Sequence, residues 1–466
     1  MAAAKNNTSS ADQMTASEKK AVSALSSIYA LRMFGLFMIL PVFVLYAEKL
    51  GDVTPFLIGL AIGAYGLTQA LFQIPFGLIS DRIGRKPVIA TGLIIFAIGS
   101  VVAAMSDSIY GVIAGRALQG AGAIAAAVMA LTADLTREEH RVGAMATIGM
   151  SIGVAFTVAL VAGPLIDQWI GVDGLFWLTG VLALLAILVL FVRVPTPVHT
   201  RFHRDAEPIP AQFKTVLRNP ELLRLDAGIF ILHMVLTATF VVLPVALRDQ
   251  AGLASEHHWW VYLPVMVLAL AIMVPFVIVA EKRRRMKQIL IGSYFLLAIA
   301  EFLLLLNHEA VYAIVLSLML FFIAFNVLEA TLPSMVVKVT PPDIKGTAMG
   351  IYSSCQFIGA FAGGIIGGAL YGQWGLAAVF AFSGAALTAW GIITLSMRNP
   401  RYLGSFMVRV GEVDAHRAQE LVNEMTAVRG VAEAVIIRED GVAYLKVDNN
   451  AIDKEALLRF AIRDEN

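Results

Sequence analysis

The sequence predicts an all-α membrane protein: twelve transmembrane helices in two pseudo-symmetric six-helix halves, followed by a small cytoplasmic α+β domain of ferredoxin-like order. Three observations carry this. Of the 466 residues, 58% are apolar and only 15% charged, which is outside the range of soluble domains. Apolar runs of about 20 residues, the length a helix needs to cross the hydrocarbon layer, recur through residue 397. Beyond Pro400 the hydropathy changes and the pattern becomes that of a soluble α+β unit.

The runs fall at 25–46, 55–79, 87–105, 109–132, 142–166 and 174–192 in the first half. In the second they fall at 222–247, 259–280, 288–306, 310–335, 346–370 and 375–397. The first run carries Arg32 and no small-residue cleavage site, so it reads as a spanning helix and not a removable signal. Lys and Arg concentrate in alternate connectors, while the opposite ones hold only Lys49 and Arg248. The positive-inside rule therefore places both termini in the cytoplasm, with the polar residues 1–24 leading into the membrane unit. The basic residues are accounted for by topology, and the net charge of +1 gives no reason to invoke nucleic acid. One cysteine, Cys355, inside an apolar run, excludes a disulfide framework or a thiolate metal cluster.

Residues 194–221 contain five prolines and several basic residues, the composition of an exposed cytoplasmic linker between a first bundle (25–193) and a second (222–397). An internal repeat supports the division. "IPFGLISDRIGRK" from Ile74 aligns with "VPFVIVAEKRRRMK" from Val274 at an offset of 200 residues, and "GPLIDQWIG" ending at Gly171 aligns with "GGALYGQWG" ending at Gly375 at an offset of 204. Such repeats of six helices mark secondary transporters, with the substrate path between the halves. In 404–466 the alternation of "SFMVRV", a helix capped by Asp414, a hairpin turning at Asp440-Gly441 and a helix from about Asp453 give the order β-α-β-β-α. Without a C-x-x-C pair this unit has no thiolate metal site; it is a candidate surface for self-association or a partner.

The connector "GLISDRIGRKP" holds the densest chemistry. Gly77, Asp81 and Arg85 are spaced by four, so on a continuing helix they share one face: the glycine admits a neighbouring helix and the other two pair. Topology alone needs the basic residues Arg82, Arg85 and Lys86, but not Gly77, Asp81 or Gly84. The stretch fits G-x-x-x-D-R-x-G-R-K, the loop 2–3 signature of the major facilitator superfamily, at each fixed position, and "GRALQG" with Arg116 and Gln119 resembles the fourth-helix signature of its drug/proton antiporters. The glycine-rich fifth-helix signature is present at Gly163-Pro164, with Asp167 where a glycine is expected. The resemblance covers 25–397. It implies the fold, and it implies that the loop forms a conformational latch in which Arg85 reaches Asp134 and an acid faces the N-terminus of the eleventh helix near Gly346. The repeat lacks the glycines, with Val277 and Arg284 in their places and Lys338 at the Asp134 equivalent, so the latch is expected to be asymmetric.

Charged residues inside spans are costly and seldom idle. By the resemblance, Arg116 and Gln119 take part in proton coupling, against a structural hub as the alternative. Arg32 either lines the path or snorkels to the surface. Glu329 is the candidate protonatable acid of the second half; Glu301 is a candidate for either coupling or a structural pair, and His233 for the path. "GAGAIA" from Gly120 and the two G-x-x-x-G registers of "GGIIGGAL" from Gly363 read as helix packing. No phosphate-binding loop motif is present, so the energy source expected is the proton gradient, with no cofactor. The reading is a secondary transporter of the inner membrane, expelling small amphipathic or drug-like molecules. A nutrient symporter, or a sensor working through the tail domain, are the alternatives. Its partners are the lipid bilayer, protons and an unknown small-molecule substrate.

Overall fold

The computed structural model describes residues 14–51, 53–197, 207–400, 403–438, 441–448 and 451–461. Among the described residues, twelve helices build the membrane unit. In the first half they are α1 (Ala16–Phe37), α2 (Pro55–Ile83), α3 (Arg85–Ala104), α4 (Ile109–Asp134), α5 (138–170) and α6 (172–192). In the second they are α7 (Pro220–Val245), α8 (Trp259–Lys282), α9 (Met286–Asn307), α10 (Val311–Val339), α11 (Lys345–Trp374) and α12 (Leu376–Leu395). α1 begins nine residues before the expected run, because Thr15 and Glu18 form a reciprocal capping box that starts the helix in its polar part.

The two repeats leave a mark on the backbone. α5 passes into α6 at Gly171 (φ 68°) and α11 into α12 at Gly375 (φ 78°), equivalent glycines in a left-handed conformation open to residues without a Cβ. The glycines of α11 hold the molecule together on two faces. Gly359 and Gly363 lie against the carbonyls of Phe230 and Met234 in α7, while Gly364 and Gly368 lie against those of Gly59 and Pro55 in α2. A Cβ at Gly364 would strike the Gly59 carbonyl oxygen. Each register of the "GGIIGGAL" stretch thus serves a different helix, and the second joins the two halves backbone to backbone, where close van der Waals packing is the main attraction available in lipid. Gly120 and Gly122 of α4 pack in the same way on Tyr65 and Gly92.

The tail forms a three-stranded antiparallel sheet of β1 (Gly404–Arg409), β2 (Val431–Ile437) and β3 (Val442–Val447), in the order β1-β3-β2. Helices α13 (Ala415–Thr426), capped by Asp414, and α14 (Lys454–Leu458), capped by Asp453, complete it. Gly441 (φ 64°) opens the second half of the expected hairpin turn; Asp440 lies outside the described residues. Ala443, Leu445 and Val447 of β3 pack with Val408, Leu421, Met425 and Leu457 into a core. The alternate residues Tyr444 and Lys446 are buried as well, because their face of the sheet is covered by the membrane unit. Lys446 Nζ donates to the carbonyls of Val337 and Lys338 at 3.0 Å each, occupying free acceptors at the C-terminal end of α10. Asp448 pairs with Arg284 at 3.1 Å, at the turn between α8 and α9.

Two predictions follow from these contacts. Gly364→Leu should lower the free energy of unfolding in detergent by the ~1–3 kcal/mol typical of overpacking, while Gly153→Leu, at a glycine with open space around it, should not; equal effects would remove the role given to the α2–α11 contact. For the tail, burial, with Lys345 and Lys338 nearby, lowers the Lys446 ammonium to about 8 against the opposing pull of Glu433. Undocked, a lysine titrates at about 10.4, so between these values the docked form holds fewer protons and rising pH favours docking. Spin-label distances between tail and membrane unit should therefore narrow toward the docked value from pH 8 to 10; loosening over that range would contradict the assignment.

Candidate functional site

The loop between α2 and α3 is organised around Arg85, which is 3% exposed. Gly84 (φ 99°) makes the sharp turn that ends α2, and Arg85 opens α3 with its side chain folded back beneath the turn. Its guanidinium pairs with Asp81 one turn earlier, donates from Nε to Asp134 at the end of α4 (3.2 Å) and from Nη1 to Ser80 (2.8 Å). A third carboxylate, Glu207, comes from the linker and accepts from Nη2 at 2.6 Å. Glu207 is itself only 3% exposed. A guanidinium offers five donors in a rigid plane, and carboxylates arriving from several directions satisfy them while offsetting its desolvation.

This arrangement corrects several expectations. The linker is not simply exposed: past its undescribed stretch (198–206) it enters the protein. Glu207 binds Arg85 in the first half, Ile209 N donates to Thr347 Oγ1 at 2.9 Å, and Thr347 Oγ1 donates to Gln212 Oε1 at 2.8 Å. Pro208 lies over Gly350. The segment therefore occupies the start of α11, the place the resemblance assigned to an acid of the loop. The neighbouring helix that Gly77 admits is α4: a Cβ there would press on Ala126, so this glycine serves packing within the first half. Arg82 points outward, apart from the cluster. Lys86 Nζ instead donates to Val194 O (2.6 Å) and Thr196 Oγ1 (3.1 Å), tying the loop to the end of α6. In the second half the charges are exchanged: Lys338 Nζ meets Glu281 at 2.9 Å, and this copy is engaged by the tail.

Deeper in the first half lie two buried arginines. Arg32 is fully buried and does not snorkel; Nη2 donates to Gln69 Oε1 (2.8 Å) and to the Gly122 carbonyl (3.0 Å), which is freed by the break in α4. Arg116 Nη1 donates to Gln119 Oε1 at 3.0 Å, and Gln119 Nε2 to Ser100 Oγ at 2.8 Å, so this pair links α4 to α3. Both guanidinium groups lie over the Tyr65 ring, at 5.8 and 5.4 Å from its centroid, a cation–π clamp. Arg32 Nε and Nη1 and Gln69 Nε2 have no acceptor among the described residues.

The second half brings together residues that spacing could not connect. His233 Nδ1 faces the Ile229 carbonyl at 3.3 Å, and Nε2 lies 2.8 Å from Gln356 Nε2 and 3.3 Å from Glu329 Oε1. With Nδ1 donating to the carbonyl the ring is neutral, and the single lone pair of Nε2 is approached by both the Gln356 amide and Glu329. A proton between Glu329 and Nε2 completes a hydrogen bond; without it two lone-pair atoms face each other. Glu301 is a different case: it is fully buried in α9 and accepts from Thr239 Oγ1 of α7 at 2.7 Å. Asp226, in the second turn of α7, is 4% exposed.

Between the halves, Phe156 of α5 stacks on Phe325 of α10 (5.9 Å) and contacts Phe37 edge-on (4.8 Å), while Tyr65 meets Phe357 at 6.1 Å. The halves also meet at both faces. On the basic side Gln73 Nε2 donates to Ser354 Oγ at 2.6 Å; on the opposite side Arg248 pairs with Glu48 at 2.7 Å and Gln168 Nε2 donates to Glu256 O at 2.7 Å. Sequence reasoning missed Glu207, Gln356 and Gln73, polar partners without a local motif.

Glu207→Gln keeps the shape but removes a charge from the Arg85 cluster. The variant should alkylate the native Cys355 of α11 about fivefold faster or more from the basic face, the effect of a ~1 kcal/mol shift between closed and open states. An unchanged rate in a folded variant would show that the linker does not hold that face shut.

The description "Major Facilitator Superfamily" matches residues 25–361 and 258–408. The inner membrane transport protein YajR of Escherichia coli (strain K12) is 44% identical over 444 residues, covering 95% of this chain and 97% of that protein. The multidrug resistance protein MdtH of Proteus mirabilis (strain HI4320) is 26% identical over 341 residues, covering 72% and 81%. Among solved structures, the human organic anion transporter MFSD10 superposes with a TM-score of 0.61 at 20% identity, covering 82% of this chain and 100% of that one, a likeness of fold. Two bundles of six helices, the loop 2–3 signature built around Arg85 and the match along both halves lead to one conclusion: the chain belongs to the major facilitator superfamily of membrane transporters.

Proposed function

We propose that the protein is a proton-driven exporter of small amphipathic molecules across the inner membrane, working by alternating access with both termini in the cytoplasm. The observation that carries this reading is the Glu329–His233 contact, in which a membrane acid faces the lone pair of a ring whose other nitrogen is already engaged. Such a pair changes its interaction when a proton arrives, and it sits on α7 and α10 beside the aromatic seam between the halves. Phe37, Phe156 and Phe325 along that seam suit a substrate with an apolar, aromatic body. Arg32 and Gln69 opposite supply unpartnered donors that suit its polar end. Export is supported further by the fourth-helix signature residues Arg116 and Gln119 and by the printed name of the MdtH relative. In the cycle this implies, proton arrival at Glu329 is exclusive with substrate, and the Arg85 cluster closes the cytoplasmic side during release outside.

The test is uptake of a fluorescent amphipathic dye with an uncharged, hydrogen-bond-accepting polar end into inside-out proteoliposomes with an acidic lumen. Accumulation should collapse with a protonophore, and Glu329→Gln should reduce it at least about tenfold, equivalent to ~1.4 kcal/mol on the barrier, while dye exchange without a gradient persists. Accumulation only under the reverse gradient would turn the reading to symport. Absence of proton movement with any ligand would turn it to a sensor.

A further inference from the structure

A second site lies away from the transport path, where α7, α10 and α12 end on the basic face. A cavity of about 760 Å³ opens there, lined among others by Thr215, Arg218, Arg224, Val339, Ser396 and Arg398. Its construction begins in the linker. The short helix Phe213–Val216 anchors through Val216, which is fully buried, and so fixes Thr215 and Arg218 at the rim. Asn219 caps α7 by accepting from Glu221 N (3.0 Å) and Leu222 N (3.4 Å), with Pro220 at the first turn.

The charges in the cavity are uneven. Glu221 is committed: Oε1 accepts from Arg224 Nη1 at 2.6 Å and Oε2 from the backbone N–H of Arg398 at 3.3 Å. The guanidinium groups of Arg218 and Arg398 have no carboxylate partner among the described residues, which leaves the pocket with two positive charges in excess. Thr215 and Ser396 add hydroxyl donors. Guanidinium forks with flanking hydroxyls match the oxygens of a phosphate ester. Beside the pocket, Leu217, Leu223 and Leu395 are 49%, 40% and 53% exposed. An apolar margin next to a phosphate-binding hollow, on the side that the positive-inside rule assigns to the cytoplasm, fits a molecule with both parts, and a free anion has no use for the margin.

We infer that this cavity binds the headgroup of an anionic phospholipid of the cytoplasmic leaflet, its phosphate held by Arg218 and Arg398 and its acyl chains lying along Leu217, Leu223 and Leu395. Lipid bound there fastens the linker's end to the rims of α10 and α12. The site does not depend on which solute the protein carries.

The experiment uses the full-length protein in dodecylmaltoside micelles titrated with palmitoyl-oleoyl-phosphatidylglycerol, with the phosphatidylcholine of the same chains, or with inorganic phosphate, read by native mass spectrometry and unfolding midpoint. The wild type should retain phosphatidylglycerol in preference to phosphatidylcholine, and phosphate at equal concentration should neither compete nor raise the midpoint. Arg218→Gln with Arg398→Gln should weaken phosphatidylglycerol binding about thirtyfold, ~2 kcal/mol at 1.4 kcal/mol per tenfold, as two basic residues at a membrane surface contribute. Arg283→Gln, on the same face outside the pocket, should bind as wild type, and an unchanged midpoint in phosphatidylcholine shows that the double variant is folded. Should that variant be unfolded, Arg218→Lys with Arg398→Lys, which keeps the charge and loses the fork, should still show a smaller loss. Equal retention of the two lipids, undiminished binding by the variants, or displacement by phosphate alone would each overturn the assignment.

Discussion

A guanidinium buried at the edge of a membrane cannot stand alone, and Arg85 sets the terms on which one face of this protein closes. Taking such a charge out of water costs several kcal/mol unless acids converge on it. Here they converge from three places: Asp81 from the helix before, Asp134 from the end of α4, and Glu207 from the chain that joins the halves. Because the residues after Glu207 also hold Thr347 and Gly350 at the start of α11, the ion cluster is mechanically coupled to the second half. Opening that face separates the groups that keep Arg85 neutralised, or carries the linker with it.

The polar interior is divided by charge. The first half buries Arg32 and Arg116 around Tyr65, and the second buries Glu301 and Asp226 and holds Glu329 about a third exposed. An aromatic seam separates the two sets, so their attraction acts across a region of low polarity where it is weakly screened. Rearrangement of the halves changes that distance, and a proton on an acid changes the charge. In the cycle proposed above, both variables bear on one electrostatic energy. The glycine contacts of α2 and α11 permit this, since surfaces that meet backbone to backbone, without interlocking side chains, can part and re-form.

Much of this was legible in the sequence where the physics is local. Apolar length identified the spans, four-residue spacing identified the Asp81–Arg85 pair, and the double glycine register of α11 was evident as packing. The partners of those features were a different matter. Glu207 lies 122 residues from Arg85, and Gln356 lies 123 from His233; no periodicity relates them. Proline and charge in the linker read as solvent exposure, which holds for a free chain and fails for one recruited to a buried ion. Nothing in the pattern of β3 singles out Lys446, because a strand's own alternation cannot report a second surface against it. The placement of Asp134 came through resemblance alone, whereas the neighbour that Gly77 admits, Ala126 of α4, has no signature in the sequence.

The turn between α8 and α9 preserves something else. Arg284 stands where its counterpart 200 residues earlier is Gly84, and it retains a positive φ of 54°, alone in this among the described non-glycine residues. A side chain there costs about 1 kcal/mol, and glycine would relieve it. Both copies of this loop turn at a positive φ, but only in the second does the residue bearing it carry a side chain, and that side chain reaches Asp448 of the tail. The strained copy is the one that holds a domain.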